Sequence, residues 1–295
     1  MLVSTEAGGL GNRIKSWVSA TRLDPKARVY WPITSNMPAS FADLFANDCG
    51  IDELPADATS HCSWRLAVTD ADLAELPEGF ATAGGGAHPL ARRAGKLWWS
   101  LRGAPDDRYR FMITPKRFSK KSTRRDGRII DFEYNRIPDY FRNLYAPYFV
   151  AITVQPEIVR RADAWSATNF DAAVIGVQVR TWRDDPRRHR KHHKPAVARL
   201  KRLLQTTDQR NRFFVVSDDD DVAPWLATEV GADRVLSFPR ETARRASWQS
   251  VQGMSEDLID MILLSRTHRM FASYLSTFSE TAWWLGGASA EVAVF

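Results

Sequence analysis

With 295 residues, 44% of them hydrophobic, the chain can bury a sizeable core and has room for two domains of about 150 residues each. No stretch reaches the roughly 18 uncharged apolar residues of a membrane span, and Met1-Leu2-Val3-Ser4 runs into a glycine-rich turn without a basic and apolar leader, so neither a span nor a signal peptide is expected. Two cysteines, Cys49 and Cys62, are too few for a disulfide scaffold and suit free thiols in a cytoplasmic protein.

The formal charge of +6 and pI of about 9.4 are unevenly spread. Basic runs at 110–128 and 180–202 are either solvated loops or attractors of phosphate on a nucleotide sugar, an anionic membrane or nucleic acid. No helix-turn-helix, zinc-finger or RNP pattern accompanies them, which argues against nucleic acid.

Leu2–Thr5 reads as a first strand, Glu6–Arg13 as a glycine-rich turn and Ile14–Leu23 as a helix. The turn lacks the Gly-Lys-Ser/Thr of a Walker loop, and Gly9-x-Gly11 lacks the third glycine of the dinucleotide fingerprint. Its glycines allow close backbone approach to a ligand, and the helix amides that follow favour an anion. Arg28–Pro32 reads as a second strand and Phe41–Phe45 as a short helix. From 48 to 105 the pattern is poor, with Gly84-Gly85-Gly86 as a loop and Lys96–Ser100 as an aromatic patch. Ile129–Phe132 reads as a strand, followed by helices over 138–150 and 155–165.

From Ala172 onward the alternation sharpens. Strands are expected at 173–179, 213–217, 234–238, 270–273 and 291–295, with helices at 195–205, 222–229, 256–265 and 278–285. Strands alternating with helices imply a parallel, doubly wound α/β sheet. Ligands then bind beyond the carboxyl ends of its strands.

Three strand ends carry chemistry. Arg180 suits a pyrophosphate or a plain surface ion pair. Asp218 to Asp221 suit a base or ribose, a helix cap, or a metal-binding Asp-x-Asp. Ser276, Thr277 and Ser279 can cap a helix or bind phosphate at its start. His189, His192 and His193 lie among so many cations that zinc is disfavoured, and they read as solvated loop residues. No order of Ser, His and Asp or of Cys and His points to covalent catalysis.

Four segments, in this order, resemble the fucosyltransferase superfamily: the α1,6- and α1,2-fucosyltransferases, the protein O-fucosyltransferases and the rhizobial nodulation enzymes. They are Gly8-Gly9-Leu10-Gly11-Asn12-Arg13, Gly176-Val177-Gln178-Val179-Arg180, Val215-Val216-Ser217-Asp218-Asp219, and Asp257–Ser265 followed by Ser276-Thr277-Phe278-Ser279. The resemblance implies a GT-B-like α/β fold, with two Rossmann-like domains whose parallel sheets face a cleft. Residues 1–155 would form the acceptor-side domain and 156–295 the nucleotide-sugar domain. It further implies transfer of fucose from GDP-fucose, with inversion, to a hydroxyl of a glycan, glycolipid or other glycoconjugate, without a cofactor or metal.

Carried over, Arg180 binds the β-phosphate as the catalytic cation and Asp218 or Asp219 contacts guanosine. Ser276, Thr277, Phe278 and Ser279 line the phosphate pocket, and Gly9, Gly11, Asn12 and Arg13 face the donor from the other domain. Gln178 stands where the family has histidine and Thr181 where it has a second arginine, so Arg183 is expected to supply the missing charge. Glu6 is the first candidate for the general base and Asp184 the second. The rival expectations are another nucleotide sugar on the same fold, and a non-catalytic nucleotide or polyanion binder. The basic runs allow peripheral contact with an anionic membrane on its cytoplasmic face.

Overall fold

The computed structural model describes residues 1–63, 66–69, 71–72, 75, 112–115, 128–131, 137, 139–274 and 276–295. The expected loop at 84–86, the aromatic patch at 96–100 and most of the first basic run lie outside these residues. The chain divides into two compact units: Met1–Trp31 with Cys49–Tyr148, and Pro32–Asp48 with Phe149–Phe295.

The first unit starts with strand β1 (Leu2–Ser4), helix α1 (Leu10–Leu23) and strand β2 (Arg28–Tyr30). The chain then gives the second unit the short helix α2 (Phe41–Leu44), returning with β3 (Gly50–Ile51) and β4 (Thr59–His61). These strands form a parallel sheet in the order β3-β2-β1-β4. Helix α1 buries Leu10, Ile14, Trp17 and Val18, a stripe at helical spacing that explains why the segment is helical. It starts at Leu10, four residues before the expected Ile14, so Asn12 and Arg13 sit in its first turn rather than in the preceding loop. Strands β5 (Leu66–Val68), β6 (Met112–Pro115) and β7 (Arg128–Asp131) make a small antiparallel sheet in the order β5-β7-β6. The boundary between the units falls inside helix α3 (Asp139–Val150).

The second unit continues with helix α4 (Pro156–Asn169), strand β8 (Val174–Val179), helix α5 (Lys194–Gln205), strand β9 (Arg212–Ser217) and helix α6 (Val222–Val230). Strand β10 (Val235–Leu236), helix α7 (Val251–Ser265), strand β11 (Arg269–Ala272), helix α8 (Thr277–Leu285) and strand β12 (Glu291–Val294) complete it. All five strands are parallel, in the order β10-β9-β8-β11-β12. Each unit is thus a Rossmann-like α/β layer, the expected class.

Alternation along β8 assigns its two faces. Ile175, Val177 and Val179 join Phe213 and Val215 under Ala196, Leu200 and Leu204 of α5 and Val222 and Leu226 of α6. Gly176 and Gln178 therefore face the other side. There a side chain at 176 would come within 2.7 Å of Thr267 Oγ1 and 2.9 Å of Leu264 Cδ2, so glycine is what lets the end of α7 approach the strand. Nearby, the Trp165 ring of α4 packs 5.3 Å from Phe214.

Two further expectations change. Helix α7 begins at Val251, not Glu256, because Ser250 accepts a hydrogen bond from Gly253 N–H and caps it. The basic loop after β8 is not a loop: Asp185 caps a one-turn helix, Pro186–Arg188, which passes into a π-helical turn, His189–His193, and then α5.

Candidate functional site

In the second unit the chain leaves β8 toward β9 on one side and returns on the other as β11, so the carboxyl ends of β8 and β11 flank the switch point of the sheet. This is where an open α/β sheet leaves a crevice. Arg180 emerges there from β8 and Ser273 from β11. Ser273 N–H donates to Gln178 O at 3.0 Å, and Arg180 N–H donates to Ser273 Oγ at 2.8 Å. Asp218, at the end of β9, accepts Thr181 N–H at 2.7 Å through Oδ1 and lies 3.2 Å from Arg180 Nη1 through Oδ2. The Arg180 guanidinium also lies 4.9 Å over the Trp182 ring and stays 43% exposed. Gln178 is buried, with no partner for its side-chain oxygen, and the hydroxyl of buried Thr181 is likewise unpaired.

The acids after Asp218 are engaged by arginines. Asp219 Oδ2 accepts Arg183 Nη1 at 2.6 Å, and its other oxygen accepts Arg245 Nη2 at 3.2 Å. Asp220 accepts Arg244 N–H at 2.8 Å and Arg245 Nε at 3.1 Å. Burial works to raise the Asp220 carboxyl, but these bonds hold it below its ordinary value. Asp221 accepts Arg183 and Arg245. Among the described residues no group of three or more His, Cys, Asp or Glu is arranged to hold a metal ion.

The cations opposite these acids arrive on a pinned loop. Glu256, fully buried on α7, accepts Glu241 N–H at 2.9 Å, Thr242 N–H at 3.1 Å and Thr242 Oγ1 at 2.7 Å. Arg240 bridges Asp257 and Asp260, both at 2.8 Å. Arg244 shares Asp260 at 2.5 Å. Burial lifts the Asp257 carboxyl to about 6, against the pull of Arg240. Gly253 permits this fit, since a side chain there would meet Ser247 O at 2.2 Å.

Downstream of β11, Ser276 caps α8 with a long bond of 3.5 Å from Ser279 N–H. Ser276 and Ser279 are buried, while Thr277 and Phe278 are half-buried at the helix start.

In the first unit the glycine-rich turn lies at that sheet's own switch point, between β1 and β4. Glu6 Oε1 accepts Gly8 N–H at 3.0 Å. Arg13, 1% exposed, donates from Nε to Gly8 O at 2.8 Å and lies 5.0 Å over Trp31. Burial lowers Arg13 to about 10 despite Glu6. Gly9 is exposed at the N-cap of α1, Gly11 is buried, and half-buried Asn12 has a buried side-chain oxygen without a partner.

The sequence-expected residues therefore fall into two clusters, one per unit. Glu6, Gly9, Gly11, Asn12 and Arg13 share the first. Gln178, Arg180, Arg183, Asp218, Asp219 and the start of α8 share the carboxyl edge of the second sheet. Asp184 is exposed beside Arg183. Sequence reasoning missed Ser273, Arg244 and Arg245, and it read His189, His192 and His193 as solvated loop residues, whereas all three are half-buried in a π-helical turn. The signal for the arginines lay in α7, where Glu256 and Asp260, four residues apart, put two acids on one helix face.

No protein-family model and no curated protein matches the sequence. Solved structures do. The fucosyltransferase NodZ from Bradyrhizobium is 18% identical, with 95% of this chain and 90% of that one covered and a TM-score of 0.50. A NodZ α-1,6-fucosyltransferase crystal soaked with GDP-fucose gives 17% identity, coverage of 96% and 92%, and a TM-score of 0.49. A mutant of Arabidopsis thaliana FUT1 in complex with GDP gives 17%, 99% and 69%, and 0.46. The neighbours in fold are fucosyltransferases, the superfamily that the motifs resemble.

Proposed function

We propose that this chain transfers fucose from GDP-fucose to a hydroxyl of a glycan or glycoconjugate, with inversion at the sugar carbon and without a divalent metal. The observation that carries the reading is Arg180, whose backbone N–H is bonded to Ser273 at the switch point of the second sheet and whose partly exposed guanidinium lies 3.2 Å from Asp218. A cation and open helix amides on one edge suit a diphosphate. Only one terminal nitrogen of Arg180 faces Asp218, so the guanidinium fork keeps donors for phosphate.

In the proposed reaction the acceptor oxygen bonds to the sugar C1 as the bond from C1 to the β-phosphate oxygen breaks. The electron pair leaves with GDP, and the hydroxyl proton passes to a base. Charge grows on the leaving diphosphate, and Arg180 with the α8 amides opposes it. Asp218 is proposed to act through Arg180, and Asp219 through Arg183.

Calorimetric titration with GDP, UDP and ADP, each with and without EDTA, tests the reading. GDP is expected to bind selectively and without regard to EDTA. Binding of UDP, or loss of binding with EDTA, would replace the donor or restore the metal reading of Asp218 to Asp221. Arg180→Ala is expected to lower fucosyl transfer by about 10²-fold or more, and unchanged turnover in a folded variant removes Arg180 from the reaction.

A further inference from the structure

The chain after β8 is held in an unusual way. Trp182 sits in the left-handed region, with φ of 56°, where residues other than glycine are uncommon. The π-helical turn His189–His193 then folds back toward the strand it has just left. Turns of this kind are rare and gather at functional sites. His189 Nδ1 lies 2.8 Å from Thr181 O. The two rings are 4.8 Å apart. His192 faces the same region, 6.3 Å from the Trp182 ring and 5.6 Å from Tyr274.

The remaining backbone bonds of Arg180 and Thr181 point the same way. Their N–H groups go to Ser273 and Asp218, from β11 and β9. Two consecutive residues are thus fastened by side chains from both neighbouring strand ends and from the π-helical turn. A backbone held this fully fixes where the side chain of residue 180 leaves the strand end, beside the switch point.

We propose that His189, with the His193 ring packed beside it, is an imidazole clamp on the main chain at Thr181, making it a positioning residue that aims the preceding Arg180 at the diphosphate of the donor. The clamp rests on the reading that Arg180 receives that diphosphate. The ring does not touch the donor; it acts through the peptide group it holds. A carbonyl can only accept, so His189 must carry a proton on Nδ1. That tautomer is the signature of the clamp, independent of any activity.

The test uses the full chain, GDP as the probe, and imidazole nitrogen–proton correlation spectra. Wild type is expected to show His189 protonated at Nδ1 at neutral pH. His189→Ala is expected to weaken GDP binding by about 10-fold, the worth of one lost hydrogen bond. His189→Asn can donate from its amide to the same carbonyl and should recover most of that loss. A neutral His189 protonated at Nε2, or a folded His189→Ala that binds GDP like wild type, overturns the clamp. If His189→Ala does not fold, the wild-type tautomer decides alone. If wild type binds no GDP, the diphosphate reading of Arg180 fails, whereas the tautomer still reports on the clamp.

Discussion

At His193, burial first and then the neighbouring His189 ring hold the imidazole below its ordinary value of 6.5. Asp218 and Asp219 at the end of β9 pull the other way. The folded protein binds fewer protons here than the unfolded chain, so stability rises with pH across the window between the two values. The contribution is complete above about 6.5 and is lost as pH falls through the lower, folded value. Melting temperature followed from pH 8 to pH 5 should therefore drop on the acid side, and His193→Gln should flatten that part of the curve. An unchanged slope would place the proton elsewhere. This residue also shows what a sequence hides. Three histidines among cations read as solvated, because nothing local announces a π-helical turn. Arg180 and Asp218 were legible because each directly ends a buried strand.

At the scale of elements, α7 organises the loop that faces the acids after β9. Arg240 and Arg244, nearly inaccessible to solvent, meet Glu256, Asp257 and Asp260 in its second and third turns. Such pairs are costly to break singly, because the partner left behind stays buried and charged. Glu256→Ala is expected to destabilise the second unit by about 3–5 kcal/mol, read from denaturant unfolding. It should also loosen Arg245 from Asp220. A loss below about 1 kcal/mol would mark the site as no more than a surface pair. The alternation of strands and helices from Ala172 onward was legible in hydrophobic pattern alone. The start of α7 was not, since the segment 251–255 mixes polar and apolar residues and depends on the Ser250 cap. The short strands β3 and β4 were also missed, being two and three residues long and supported by parallel neighbours rather than by their own pattern.

For the whole molecule, positive charge gathers in the two basic runs of the sequence, of which the second lies among the described residues. Arg187, Arg190 and Lys194 are exposed on the helical stretch that follows β8. Among the described residues no helix is long and apolar enough to cross a membrane, so any membrane contact through these cations would be at its surface. Vesicles containing anionic lipid should retain the protein at low salt and release it as ionic strength rises, since exposed charge is screened within about 10 Å at 0.1 M. Retention that ignores both salt and lipid charge would rule out the cationic patch as its cause.

The second unit is assembled from two separated stretches of chain. Gln155 Nε2 donates to Ala42 O at 2.7 Å and Phe45 O at 3.1 Å, and Ala46 N–H donates to Thr153 O at 2.8 Å. Phe41, Leu44 and Phe45 are buried there as well. A cut between 49 and 148 would sever the covalent path between these two stretches, leaving these hydrogen bonds and buried side chains to hold them together. Conversely, a ribosome makes the residues around α2 more than a hundred positions before Ala151–Gln155, and it must finish α7 as well before they have these partners. This half of the protein thus matures late, and its early-made segment waits for the rest.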